Sequence, residues 1–184
     1  MTQLPKSLGT EPPQRESGWR LFDAQFKDYR ANYFKQTAMA TASMLVVLLL
    51  LDLVDQTVLI ASLGASTFIV FSMPHTKRSR PRYLVGGYCV GAIAGCSLSL
   101  LANYLDAFGF ADPRLVHVIF AALALGLAFL IMVVTDTEHP PAAALALGFV
   151  LNEWNLFALL VVMCGIVLIT AIKETIKSRL RDLI

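Results

Sequence analysis

The sequence predicts an all-α membrane protein with six hydrophobic segments, and three observations carry that prediction. Composition is 57% apolar and 15% charged, well above the roughly 45–50% apolar share of soluble domains. The apolar residues fall in six blocks, 37–53, 58–73, 83–105, 115–134, 141–151 and 154–172, and the basic residues gather at alternate connections between them.

Block length is the first constraint. A helix rising about 1.5 Å per residue needs about 20 residues to cross a hydrocarbon core of about 30 Å. Four blocks have that reach, whereas the second and fifth, beginning at Val58 and Pro141, fall short. Charge then decides whether the short blocks cross. Fourteen of the fifteen basic residues precede the first block, follow the second or follow the sixth; the remaining connections hold only Arg114. If all six blocks cross, every basic cluster lies on one side, the cytoplasmic side by the positive-inside rule. A second block that only dipped in and out would put Lys77, Arg78, Arg80 and Arg82 on the wrong side. Six crossings with cytoplasmic N- and C-termini follow, in a multi-pass protein expected in a bacterial inner membrane.

The remaining segments read as accessories to this domain. Residues 1–18 are polar and proline-containing and are expected to be a disordered cytoplasmic tail. Within 19–36, Trp19, Phe22, Phe26, Tyr29 and Tyr33 recur at helical spacing with basic groups on other faces. An amphipathic interfacial helix fits this pattern, and so does a helix packed on the cytoplasmic ends of the bundle. Residues 37–173 form the transmembrane domain and 174–184 a basic cytoplasmic tail. Cys89, Cys96 and Cys164 lie in apolar blocks without metal-ligand spacing, so free thiols are expected and no metal or other cofactor.

The two short blocks are the middle members of two triplets, 37–105 and 115–172, which suggests a 3+3 inverted repeat with its site at two broken helices. In the second triplet the break is legible in "TDTEHPPAAALALGF". The residue before a proline is pushed away from helical geometry, and Pro140 and Pro141 suit the first turn of a new helix, where a missing N–H leaves nothing unpaired. Thr135 to His139, Thr137 among them, should therefore be extended, and Pro140, Pro141 and Ala142 should open a half-helix. In the first triplet the matching break is expected at "SLGASTF", with Gly64 and Ala65 allowing close backbone approach and Ser66 and Thr67 capping a helix start. Tight helix packing by small residues is the competing explanation for that stretch. Two converging helix starts would bind an anion, since each carries partial positive charge. His139 would add a full charge when protonated and a hydrogen bond when neutral.

These motifs carry a family resemblance. "TEHPPAAALAL" around His139, "ASLGAS" at 61–66 and "RPRYLVGG" at 80–87 resemble the HPP family of integral membrane proteins, over about residues 58–148. Some cyanobacterial and plastid members of that family are associated with nitrite transport, so the resemblance implies a small-anion transporter or channel, with nitrite the leading candidate. The chain departs from the family pattern at Tyr83, Tyr88 and Ala143, and Asp136 and Glu138 make the approach to the site acidic.

The expected function is thus transport of a small inorganic anion, with proton coupling through His139. The expected substrate-binding residues are Gly64, Ala65, Ser66, Thr67, Thr137, His139, Pro140, Pro141 and Ala142. A regulatory or scaffold protein without its own substrate is the alternative. No catalytic set is expected, because in an extended stretch Asp136 and Glu138 share one side and His139 takes the other. The expected partners are the lipid bilayer and further copies of the chain, as a dimer or trimer, and not nucleic acid. Gly87, Gly91 and Gly95, four residues apart on the third block, form a face for close helix contact whose partner is left open.

Overall fold

A computed structural model describes residues 26–51, 57–109, 112–152 and 154–183. Among them lie six α-helices: α1 Phe26–Leu51, α2 Thr57–Ser72, α3 Pro81–Ala107, α4 Pro113–Thr135, α5 Pro140–Leu151 and α6 Leu156–Ile176. Short 3-10 turns occupy Lys77–Ser79 and Lys177–Arg179. Three helical stretches are long and apolar enough to cross a membrane unaided, Pro81–Ala107, Pro113–Thr135 and Leu156–Arg179. α2 and α5 are apolar but short, at 16 and 12 residues, about 24 and 18 Å of helix.

Local chemistry sets several helix ends. Pro81, Pro113 and Pro140 occupy first-turn positions, where a fixed φ helps and a missing N–H goes unnoticed. Asp112 caps α4 by accepting from the amides of Arg114 and Leu115 at 2.8 and 3.3 Å, and Asn155 caps α6 through the amide of Ala158 at 2.7 Å. α4 ends where Asp136 turns left-handed, with φ 53° and ψ 53°. The amide of Thr137 then reaches back to the carbonyl of Met132 at 2.9 Å, closing the helix as glycine-terminated helices close.

The helices alternate in direction, so the basic clusters come together at one end. There Gln36 of α1 donates to the carbonyls of Phe71 and Arg181 at 2.6 and 2.7 Å, and the amide of Leu183 donates to the carbonyl of Ser72 at 2.8 Å. Lys173, fully buried, donates to the carbonyl of Ser79 at 2.8 Å and to Glu174 at 2.6 Å. At the opposite end Trp154 donates to Ser99 at 3.0 Å, and Gly148 packs on Val58. α5 is the core element, in contact with α2, α3 and α4.

Two expectations change here. The boundary at residue 36 is not a break: α1 runs on from Phe26, departing from helical angles at Tyr29. Tyr33 donates to the carbonyl of Leu183 at 2.9 Å and the Arg181 guanidinium lies 3.9 Å from the centre of the Tyr29 ring. The described part of 19–36 therefore packs on the ends of the bundle against the C-terminal segment instead of lying apart from it. Trp19, Phe22 and the tail 1–18 lie outside the described residues.

The second change concerns α2, which is continuous from Thr57 to Ser72 with no break at Gly64. The Ser66 and Thr67 hydroxyls donate to the carbonyls of Ser62 and Leu63, one turn back, at 3.0 and 2.8 Å. They are bonded inside a helix and cap nothing. In hydrocarbon an unpaired amide or carbonyl costs several kcal/mol, and a lone glycine keeps its N–H, so the helix runs through it. The two triplets consequently differ at their middle members, and only the second carries a break.

Candidate functional site

The break before α5 is the starting point. The break is shorter than the expected 135–139: Thr135 ends α4 and Asp136 is left-handed, residues 137–139 belong to no helix, and His139 is extended at φ −138° and ψ 95°, as the proline after it requires. This places the His139 imidazole beside one face of α2 and one residue of α3. Ser62 and Ser66, four apart, lie on that face of α2. Nε2 of His139 is 2.8 Å from the Ser66 hydroxyl, which is 2.9 Å from the Tyr88 hydroxyl. Tyr88 is 2.7 Å from Ser62, and Ser62 donates to the carbonyl of Pro141 at 2.9 Å. All four side chains are buried, and the Tyr88 and His139 ring centres stand 5.8 Å apart.

Proton counting favours one tautomer. Five hydrogen bonds link these groups, counting that from Ser66 to the carbonyl of Ser62. Three hydroxyls supply three protons. An Nε2–H tautomer supplies a fourth, whereas an Nδ1–H tautomer supplies none, so the network favours the proton on Nε2. Nδ1 is then a bare acceptor, buried and without a partner among the described residues.

A glycine stripe holds this arrangement. A Cβ on Gly91 would collide with the carbonyl of Ala142; one on Gly95 would lie 2.8 Å from the backbone of Ala146, and one on Gly87 2.6 Å from Cβ of His139. The face open in the sequence reading therefore packs within the chain, against α5, and sets the depth of His139.

The expected site residues divide. Ser66, His139 and Pro141 come together, and Ala142 lies beside them under Gly91. Thr67 is buried but bonds Leu63 and reaches the Met44 sulfur at 3.8 Å. Thr137 is buried 2.8 Å from the Thr135 hydroxyl, and Pro140 is exposed on a cavity wall. Ala65 is exposed, and a Cβ on Gly64 would meet nothing within 4 Å. The expected anion site of two converging helix starts is not formed. α2 has no start there, and α5 begins with two prolines, after which the amides of Ala142 and Ala143 both donate to the carbonyl of His139 at 2.9 and 3.4 Å. No amide of that first turn is left for a ligand.

Sequence reasoning missed Ser62 and Tyr88. The spacing of Ser62 and Ser66 placed both on one face of α2, but Tyr88 is joined to them only by the packing of α3. At the basic end, Asp136 accepts from Lys77 at 2.5 Å and from Tyr83 at 2.6 Å. The Lys77 ammonium, Asp136's closest partner, holds this exposed carboxyl below its usual range, with Tyr83 second. Asp136 is thus bonded to Lys77 and Tyr83, and His139 is bonded to Ser66. Among the described residues no three His, Cys, Asp or Glu side chains gather as a metal site.

Comparison with known proteins agrees with this architecture. A transmembrane protein of Dictyostelium discoideum is 32% identical over 90 residues, 49% of this chain and 29% of the relative. The chain thus spans less than a third of that relative's length. No solved structure matches. The family model described as the HPP transmembrane region matches residues 27–180, and on that match the chain belongs to the HPP family of membrane proteins.

Proposed function

We propose that this protein carries a small inorganic anion across the membrane, nitrite first among the candidates, as a proton-coupled transporter or channel held at His139. The observation behind this reading is the buried set Ser62, Ser66, Tyr88 and His139 at the start of a half-helix, with Nδ1 unpartnered. An ionisable group at membrane depth is a functional candidate by default, because it is costly to keep there without a use. An anion arriving with a proton on Nδ1 would meet an imidazolium and its own charge would be balanced. Hydroxyls and one imidazolium, and not helix-start amides, are the donors in this reading. The family resemblance supports an anion as the solute, and the limited volume one chain encloses favours a dimer or trimer. The termini and the basic end are cytoplasmic.

A scaffold without a substrate is favoured by one observation, that the polar cluster closes on itself and leaves one nitrogen over. Uptake into liposomes holding the purified protein separates the two. Nitrite, nitrate, formate and bicarbonate are compared with and without an inward proton gradient. Transport predicts faster uptake of at least one anion when the gradient is imposed; rates equal to those of protein-free liposomes for all four would leave the scaffold.

A further inference from the structure

A cavity of about 830 Å³ runs along the seam between α4 and α5, within the roughly 300–1,000 Å³ of small-molecule sites. Its α4 wall is one helical stripe that includes Ala122, Gly126, Phe129 and Val133, and its mouth is formed by Lys77, Arg78, Tyr83 and Glu138. The wall is apolar and the mouth is charged.

Three features narrow the occupant. The first is depth: the eleven helical steps from Ala122 to Val133 make roughly 16 Å of helix, close to half of a hydrocarbon core of about 30 Å. The groove is therefore one leaflet deep. The second is charge. Lys77 is paired with Asp136, whereas Arg78 is exposed and has no partner among the described residues. Glu138 stands at the same mouth and opposes an anion, but Arg80 and Arg82 follow in the adjoining segment. The four cations there outnumber the carboxylates of Asp136 and Glu138. The third is Gly126 on that stripe, which is exposed and where a Cβ would meet nothing within 4 Å, so the α4 wall is open at that point and a larger side chain would project into the groove.

We propose that this groove binds one anionic phospholipid of the cytoplasmic leaflet, its phosphate on Arg78 and one acyl chain lying along the α4 stripe. A small hydrophilic anion leaves an apolar wall of that length uncovered, and in a zwitterionic lipid such as phosphatidylcholine the phosphate comes with a quaternary ammonium that the basic mouth repels. Anionic headgroups are concentrated on the face to which the positive-inside rule assigns this basic end. The far wall of the groove includes Pro140 and Ala143, so a bound chain would rest on the first turn of α5. The groove also reaches His139, so it adjoins the proposed transport site, but lipid retention is read without any transported solute.

The test uses the full chain in detergent, titrated with phosphatidylglycerol or phosphatidylcholine, with the lipid-bound fraction read by native mass spectrometry. Wild type should retain phosphatidylglycerol at least about fivefold more strongly than phosphatidylcholine, and Arg78→Gln should remove about that factor, the weight of one basic side chain at an anionic surface. Gly126→Leu should fill the groove and abolish retention while its thermal unfolding stays that of wild type. Equal retention of the two lipids, or undiminished retention of phosphatidylglycerol by either variant, would overturn the proposal. So would a Gly126→Leu protein that keeps its lipid but loses an oligomer, which would make the groove a seam between copies. If Gly126→Leu does not fold, the Arg78→Gln comparison decides alone, since that side chain is exposed and has no hydrogen-bond or ion-pair partner among the described residues.

Discussion

α2 and α5 are the two short apolar helices, and they reach the same polar cluster by opposite means. α2 keeps every amide, runs without interruption through Gly64, and presents Ser62 and Ser66 from its side. α5 lacks two amides, begins abruptly at Pro140, and presents His139 from its end. A missing N–H breaks a helix in hydrocarbon where a missing side chain does not, because backbone hydrogen bonds there have no replacement. The glycines that matter for the site consequently lie not on α2 but on α3, where they admit α5.

The sharpest way to break this contrast is to exchange the fates of two glycines. Gly91→Leu should cost at least about 3 kcal/mol, the top of the overpacking range, because its neighbour is the backbone carbonyl of Ala142. Folded, monodisperse protein should be largely lost on size exclusion. Gly64→Leu should elute like wild type and unfold no more readily than it; failure of that variant instead would restore a special role to Gly64.

Next in size is the link between the helices. Ser66→Ala removes the acceptor of His139 Nε2 and one partner of Tyr88. A buried group left unpaired costs about 1–3 kcal/mol, though measured hydrogen bonds between membrane helices average nearer 0.6, so about 1–2 kcal/mol is expected by thermal unfolding in detergent. Ser66→Thr, which keeps the hydroxyl, should recover most of it. A loss as large in Ser66→Thr as in Ser66→Ala would mean that packing, and not the hydroxyl, joins α2 to α5.

Smaller still is the response to Gly64→Ala. A glycine in an open helix position gives up more chain entropy on folding than alanine, so the change should stabilise by about 0.4–1 kcal/mol. Destabilisation would indicate a backbone approach that a continuous helix does not provide.

The smallest effect is at the entry to α5, where Asp136 meets Lys77 and Tyr83. Its carboxyl is held below the usual value near 3.8, so the pairing contributes stability in full above that value and loses it as pH falls further. Asp136→Asn should therefore lie slightly below wild type at pH 7 and converge with it towards pH 3. The exposed pair should also weaken with added salt. A gap between the two proteins that widened on acidification would contradict this sign.

Much of this architecture was legible in the sequence. Six apolar blocks with basic residues at alternate connections led to six helices whose basic clusters meet at one end, and His-Pro-Pro led to the break before α5. Those signals are local, since proline acts on its own residue and the one before it. Gly64 misled because "SLGAS" has the composition of a break without the missing donor that makes one. Tyr88 and the partner of the glycine stripe were out of reach for another reason. Ser66 and His139 are 73 residues apart and Ser62 and Tyr88 are 26 apart, and only the packing of α2 and α3 around α5 decides that they meet.

The central claim is that His139 takes up a proton as an anion binds, and nitrite affinity across pH 5 to 8 tests it most directly. Wild type and His139→Gln are compared in the same detergent, with unfolding temperatures confirming that both are folded. Uptake of one proton predicts that wild-type affinity falls up to about tenfold for each pH unit gained. The variant keeps a hydrogen-bonding side chain but cannot gain charge, so its affinity should be weaker and independent of pH. Nitrite binding in the variant with the wild-type affinity and the wild-type slope would contradict the claim and leave His139 as the cap of α5.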